Sequence, residues 1–264
     1  MTGGICYLSL VAVRSAPSDT SGMVNQLLFG DLVDTGERHE GWVRVTSRHD
    51  AYEGWCDEKQ ITVLSTETME VLGHSSRKVV TGTTATLTSP GLPSLTVVQG
   101  SLLFQLSNGR IAGPGGEYFL SEGDSINPVL QQPDEIVETA ASYLKAPYLW
   151  GGRSPFGIDC SGLTQIVFKQ KGIKIKRDAW QQASQGQLVN LIEEAIPGDV
   201  AFFDNEEDKI VHTGILTGRG TIIHASGEVR IDQVDHHGIF NKSKGKYTHK
   251  LRLIRRFTGM SQTA

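Results

Sequence analysis

Tyr148-Leu149-Trp150-Gly151-Gly152-Arg153-Ser154-Pro155-Phe156-Gly157-Ile158-Asp159-Cys160-Ser161-Gly162-Leu163 is the stretch on which the reading of the chain turns. A glycine-rich, aromatic loop runs directly into a cysteine placed to open a helix. Asp159 suits the N-cap, Leu163, Ile166 and Val167 supply a buried stripe, and Gly172 stops the helix. A helix N-terminus carries partial positive charge and unpaired N–H groups, both of which favour thiolate over thiol. Cys160 is therefore a candidate nucleophile. His212 and His224 lie downstream, each inside an apolar, strand-like run. A cysteine followed at a distance by histidines, brought together by folding, is the order expected of a thiol hydrolase.

The segment between the two histidines turns at Gly218-Arg219-Gly220. With a three-residue loop, Thr217 faces Thr221, opposite residues share parity, and His212 and His224 lie on one face of the sheet. A two-residue loop would send the rings to opposite faces. On the first arrangement His212 serves as the base, since imidazole ordinarily titrates near neutral pH. His224 would orient it, and an imidazolium beside Cys160 would help ionise the thiol. Backbone N–H groups at the start of the Cys160 helix are natural oxyanion donors. A zinc site built from Cys160, His212 and His224 is the competing use of these residue types, but no CxxC or HxxxH chelate supports it. A buried structural thiol and core histidines are the plain alternative for each residue taken singly.

The remaining chain frames this site. Residues 1–65 carry short, turn-punctuated strands, beginning with Leu8–Val13, and read as a small β-barrel; residues 66–128 continue that texture and read as a second. From 129 to 264 the pattern changes to helices followed by an antiparallel sheet, an α+β domain. Its first helix is expected from Gln132, with Ile136, Ala140, Tyr143 and Leu144 on the inner face. The net charge of −4 gives no footprint for nucleic acid. No apolar run approaches the roughly 20 residues that span a bilayer. The three cysteines are scattered, and Met1–Tyr7 lacks a basic region ahead of its apolar stretch, so a cytoplasmic location is expected, with an exported protein as the alternative. No metal or organic cofactor is implied, and nothing fixes the oligomeric state.

Taken together, Tyr148-Leu149-Trp150-Gly151-Gly152, Asp159-Cys160-Ser161-Gly162, Arg177-Asp178, Pro197-Gly198-Asp199, His212-Thr213-Gly214-Ile215 and Ile223-His224-Ala225 resemble the NlpC-type cell-wall cysteine peptidases. The resemblance spans roughly residues 130–257, and the first half resembles tandem bacterial SH3-like domains. As a whole the chain is similar to γ-D-glutamyl-L-diamino acid endopeptidases. That resemblance implies a papain-like catalytic domain, murein tri- or tetrapeptides as substrate, a free N-terminal L-Ala, and Cys160, His212 and His224 as catalytic residues. An ammonium group calls for carboxylates and a phenol. Tyr52, Asp159 and Asp178 are the residues nominated for it, with Ser161 near the D-Glu. Asp159 as a simple N-cap and Asp178 as a surface partner of Arg177 are the bland readings. Many relatives place Ser where this chain has Ala179. A wall-binding protein, and an amidase or acyltransferase on the same fold, are the alternatives to a peptidase.

Overall fold

The structure, a computed structural model, describes residues 2–106, 108–121, 126–128, 135–218 and 220–258. The chain divides into two compact units, Met1–Val129 with Trp150–Pro155, and Leu130–Leu149 with Phe156–Ala264.

The first unit opens with a seven-stranded antiparallel sheet. Its first strand is Thr2–Ile5, ahead of the expected one, which runs Leu10–Arg14. Alternation of buried Val11 and Val13 with half-buried Ala12 reflects a sheet with one face inward. Val33, Val43, Val45 and Cys56 join them in one apolar cluster. Residues 66–128 begin with a helix where short strands were expected. A helix, Thr66–His74, is capped by Ser65, whose side chain accepts from the Thr68 N–H, and it buries Met69 and Leu72. A four-stranded and a three-stranded sheet follow among the described residues. Their core is not separate: Ile5, Tyr7 and Phe29 share a cluster with Leu72, Val80, Leu87 and Phe104.

In the second unit the helix read from Gln132 is observed over Ile136–Ala141; residues 132–134 lie outside the described residues. Ile136, Ala140 and Tyr143 are buried as expected, whereas Leu144 is exposed. The Cys160 helix runs Cys160–Gln170 and is buried throughout. Gly172 ends it at φ 73°, a left-handed conformation that suits glycine. The helix packs against strands Ile210–Leu216 and Thr221–Ser226.

These belong to a second seven-stranded antiparallel sheet, in the order Gln187–Val189, Lys246–Arg256, Val200–Asp204, Ile210–Leu216, Thr221–Ser226, Glu228–Asp235, Gly238–Asn241. The last strand of that order also pairs with Lys246–Arg256, so the sheet closes into a barrel with Gln187–Val189 appended outside the ring. Closure brings the Gly238 turn against Lys246–Arg256 so closely that a Cβ at Gly238 would lie 1.8 Å from the His249 carbonyl oxygen. The hairpin between the histidines has the parity that a three-residue loop requires, with Ile215 opposite Ile223 and Leu216 opposite Ile222.

Candidate active site

Asp159 has extended backbone (φ −95°, ψ 176°), and its Oδ1 accepts from the Gly162 N–H at 2.6 Å. This N-cap places Cys160 in the first turn, where its backbone N–H has no intrahelical acceptor. Asp159 is itself gripped by Arg177, with Nη1 to Oδ1 at 3.0 Å and Nη2 to Oδ2 at 2.7 Å. Arg177 Nη1 also donates to Ser161 Oγ at 2.8 Å. Arg177 is 1 % and Asp159 4 % exposed, so this is a buried, bidentate pair. Asp159 and Ser161, nominated for substrate, thus form one hydrogen-bonded cluster with Arg177. Asp178 is half-buried and opens the short helix Ala179–Gln182 in a capping box, its N–H donating to Gln181 Oε1 at 3.1 Å. Tyr52 belongs to the first unit, where its N–H donates to Asp50 Oδ1 at 3.0 Å.

The two histidines meet. His212 Nε2 lies 2.8 Å from His224 Nδ1, with the rings nearly perpendicular at 86°. Gly214 makes room for this, because a Cβ there would stand 2.8 Å from the His224 Cβ. The two imidazole nitrogens face one another and not a common point, so they are not disposed as two ligands of one zinc ion. Among the described residues no cluster of His, Cys, Asp or Glu is arranged to hold a metal.

The chain of hydrogen bonds continues to Asp232, absent from the sequence reading, whose Oδ2 is 3.0 Å from His224 Nε2. Arg230 Nη2 donates to the other carboxylate oxygen at 2.9 Å. A carboxylate only accepts, so His224 carries its proton on Nε2 and offers the Nδ1 lone pair. His212 must then donate from Nε2. That leaves the His212 Nδ1 lone pair free to act as a base, and one buried carboxylate has fixed both tautomers.

Burial favours the neutral form of both imidazoles. Burial, then the neighbouring His249 and His224, push His212 well below the usual histidine range. Burial lowers His224 as well, against the opposing pull of Asp232. Burial likewise pushes the Cys160 thiol up to about 12, with the Asp159 charge adding to the rise. Backbone N–H groups of Thr213 and Ser161 and the Arg177 charge act the other way. Desolvation thus opposes the helix terminus: burial favours the neutral thiol and imidazole over the thiolate–imidazolium pair expected from the sequence. The hydrogen bond from Thr213 brings the residue adjacent to His212 against the sulfur.

Known proteins resemble this chain over most of its length. Residues 145–248 match the NlpC/P60 family, and residues 13–61 match the bacterial dipeptidyl-peptidase Sh3 domain. The gamma-D-glutamyl-L-lysine dipeptidyl-peptidase of Bacillus subtilis (strain 168) is 35% identical over 221 residues, covering 76% of this chain and 71% of that one. The chain belongs to the NlpC/P60 family. Dipeptidyl-peptidase 6 of Lysinibacillus sphaericus is 26% identical over 256 residues, 88% of this chain and 91% of its own. A crystal structure of an NlpC/P60 family protein from Bacillus cereus ATCC 10987 shares the fold with a TM-score of 0.83 over 97% of this chain and 99% of that one, at 24% identity.

Two further residues of this NlpC/P60 site were not singled out individually in the sequence. Burial, with the Asp159 carboxylate and the Cys160 sulfur close by, raises the Tyr148 phenol to about 12. Its O–H is therefore a donor at working pH. His249 stacks on His212 with centroids 4.1 Å apart and planes at 24°. The Asp232 signal was present as alternation across the tight Ser226-Gly227-Glu228 turn, which pairs His224 with Arg230 and leaves Asp232 two positions along on the same face.

Proposed function

We propose that this chain is a cysteine peptidase hydrolysing the bond between γ-linked D-Glu and a diamino acid in murein tri- or tetrapeptides. The observation that carries the reading is the His212, His224, Asp232 hydrogen-bond chain, which leaves a base nitrogen free, together with the helix-terminal Cys160 whose sulfur accepts from the backbone N–H next to His212. The name of the Bacillus subtilis relative supports the substrate class.

In this mechanism His212 Nδ1 takes the Cys160 proton as Sγ attacks the scissile carbonyl carbon. The tetrahedral oxyanion accepts from the Cys160 backbone N–H and from the Tyr148 phenol. Collapse breaks the C–N bond, and His212 returns the proton to the departing amine, leaving a thioester. Water, deprotonated by His212, then releases the γ-carboxylate and restores the thiol. Starting from a neutral pair, the charges arise only during attack, where His224 and Asp232 stabilise the new imidazolium.

The finer layout belongs to the same proposal: SH3-like barrels at 1–65 and 66–128, and a papain-like catalytic domain at 129–264. So do substrate roles for Tyr52, Asp159, Ser161 and Asp178 with a free N-terminal L-Ala, and recycling of released peptides in the cytoplasm. No helix among the described residues is long and apolar enough to cross a membrane.

The test is mass spectrometry of products from L-Ala-γ-D-Glu-L-Lys and its N-acetylated form, with Cys160→Ala as control. Release of L-Ala-D-Glu from the free peptide alone is expected, and Tyr52→Phe should weaken the preference for the free amine. Cleavage of both peptides would discard the amine requirement. Turnover by Cys160→Ala would end the peptidase reading.

A further inference from the structure

We propose that His249 is a positioning residue for this reaction: its ring, lying flat against His212, fixes the plane in which the base presents its free nitrogen to Cys160. The inference rests on the reading of His212 as the base.

The geometry shows why such a residue is needed. The bond from Nε2 to His224 anchors His212 at one atom. The ring is held at one end by its covalent bond to Cβ and at the other by this hydrogen bond, and can still turn about the line joining them, which would swing Nδ1 out of place. A flat partner at 4.1 Å removes that freedom. Phe203 cannot do so, since it meets His212 at 5.9 Å with the rings tilted at 47°.

His249 is itself held. Its Nδ1 lies 2.9 Å from Thr248 Oγ1, and Phe203 meets it edge-on at 6.1 Å. Its direction comes from an irregularity in strand Lys246–Arg256. Tyr247 pairs with Phe240 and His249 with Ile239, so Thr248 is an extra residue on that strand. Simple alternation would put Tyr247 and His249 on one face. The bulge turns His249 to the side of the fully buried Ile239 while Tyr247 stays exposed. A bulge that re-aims one side chain is a recurrent device beside active sites.

The stack also bears on charge. Burial holds His249 down to about 4, so it is neutral when His212 must accept a proton. The ionisable groups that act on it are His224, Asp232 and Lys244, and Asp204, Glu206, His237, Tyr247 and Lys250 line the same open pocket. A neutral aromatic face accommodates the imidazolium formed during attack.

The experiment compares His249→Phe, which keeps a flat ring, with His249→Leu, which fills the volume without one, and with His249→Ala. Steady-state kinetics on L-Ala-γ-D-Glu-L-Lys and pH profiles of kcat/KM are the readouts. Displacing a base by about 1 Å costs up to ~100-fold. We expect kcat to fall roughly 10- to 100-fold in the Leu and Ala variants with KM changed less than about 2-fold, and Phe to stay within about 3-fold of the parent. The acid limb should move to higher pH in His249→Ala, because uncovering His212 relieves the burial that depresses it, and should stay in place in His249→Phe. Leu matching Phe, or an acid limb that is unmoved in Ala, would overturn the inference. If His249→Ala does not fold, the Leu and Phe pair decides alone. Loss of the peptidase reading itself would show separately, as turnover surviving Cys160→Ala.

Discussion

Replacing Asp232 by Asn tests the relay at its origin. The carboxylate accepts from His224 Nε2 at 3.0 Å, and that single acceptor sets the proton positions on both histidines. Asn has nearly the same volume, yet its amide can donate. Presented with a donor, His224 moves its proton to Nδ1, His212 then accepts at Nε2, and the proton of His212 moves to Nδ1. The base nitrogen is then occupied. Restoring the productive arrangement leaves the introduced amide and the His224 N–H as two donors facing each other in a buried site, a penalty of about 1–3 kcal/mol. At 1.36 kcal/mol per factor of ten, kcat should fall roughly 5- to 150-fold, with KM little changed. Kinetics on L-Ala-γ-D-Glu-L-Lys, with circular dichroism to confirm the fold, measure this. An Asp232→Asn enzyme within about 3-fold of the parent would refute the tautomer argument.

Other outcomes follow from the same geometry. Iodoacetamide should label Cys160 at a rate rising about tenfold per pH unit past neutrality, since thiolate is scarce below a pKa of about 12; a plateau below about pH 7 would contradict a protonated resting thiol. His212, His224 and His249 are all held below the ordinary histidine range, so the unfolded chain binds more protons in mild acid. Stability should therefore fall as pH drops from about 6.5 toward about 4, and a melting temperature flat across that window would count against it. Gly214→Ala would force a Cβ to 2.8 Å from His224 Cβ and Ile222 Cδ1, costing ~1–3 kcal/mol in urea unfolding and displacing His224; an unperturbed variant would mean the strands can part. Arg177→Met strands the buried Asp159 carboxylate and should cost ~3–5 kcal/mol, a loss below about 1 kcal/mol arguing that Asp159 finds another donor.

The parts of this site that were legible in the sequence are those governed by local rules. An N-cap, a glycine C-cap and the parity of a three-residue hairpin placed Cys160, His212 and His224 correctly, because each depends on a few adjacent residues. Asp232 was missed because strand Glu228–Asp235 was not recognised as such, so its alternation was never counted. His249 could not have been found by alternation at all, since the extra residue at Thr248 breaks the period that such counting assumes. Barrel closure escaped for a related reason: pairing of Gly238–Asn241 with Lys246–Arg256 appears only once both strands are in place. The helix Thr66–His74 is written in Ser65 and a sparse inner face of Met69 and Leu72, a faint signal amid threonine and glutamate.

The donors that favour the ionised sulfur at Thr213 and Ser161 are peptide N–H groups. Every amino acid but proline supplies one, so the contact to the sulfur does not depend on which side chain stands at 213. Heredity can rewrite side chains around this sulfur while its backbone contacts are kept by the polymer itself. The contact to the sulfur should end at a single substitution, Thr213→Pro, where the hydrogen is lost along with the freedom of the chain, whereas other replacements at this buried position cost only packing and the Thr213 Oγ1 bond to the Ala201 carbonyl.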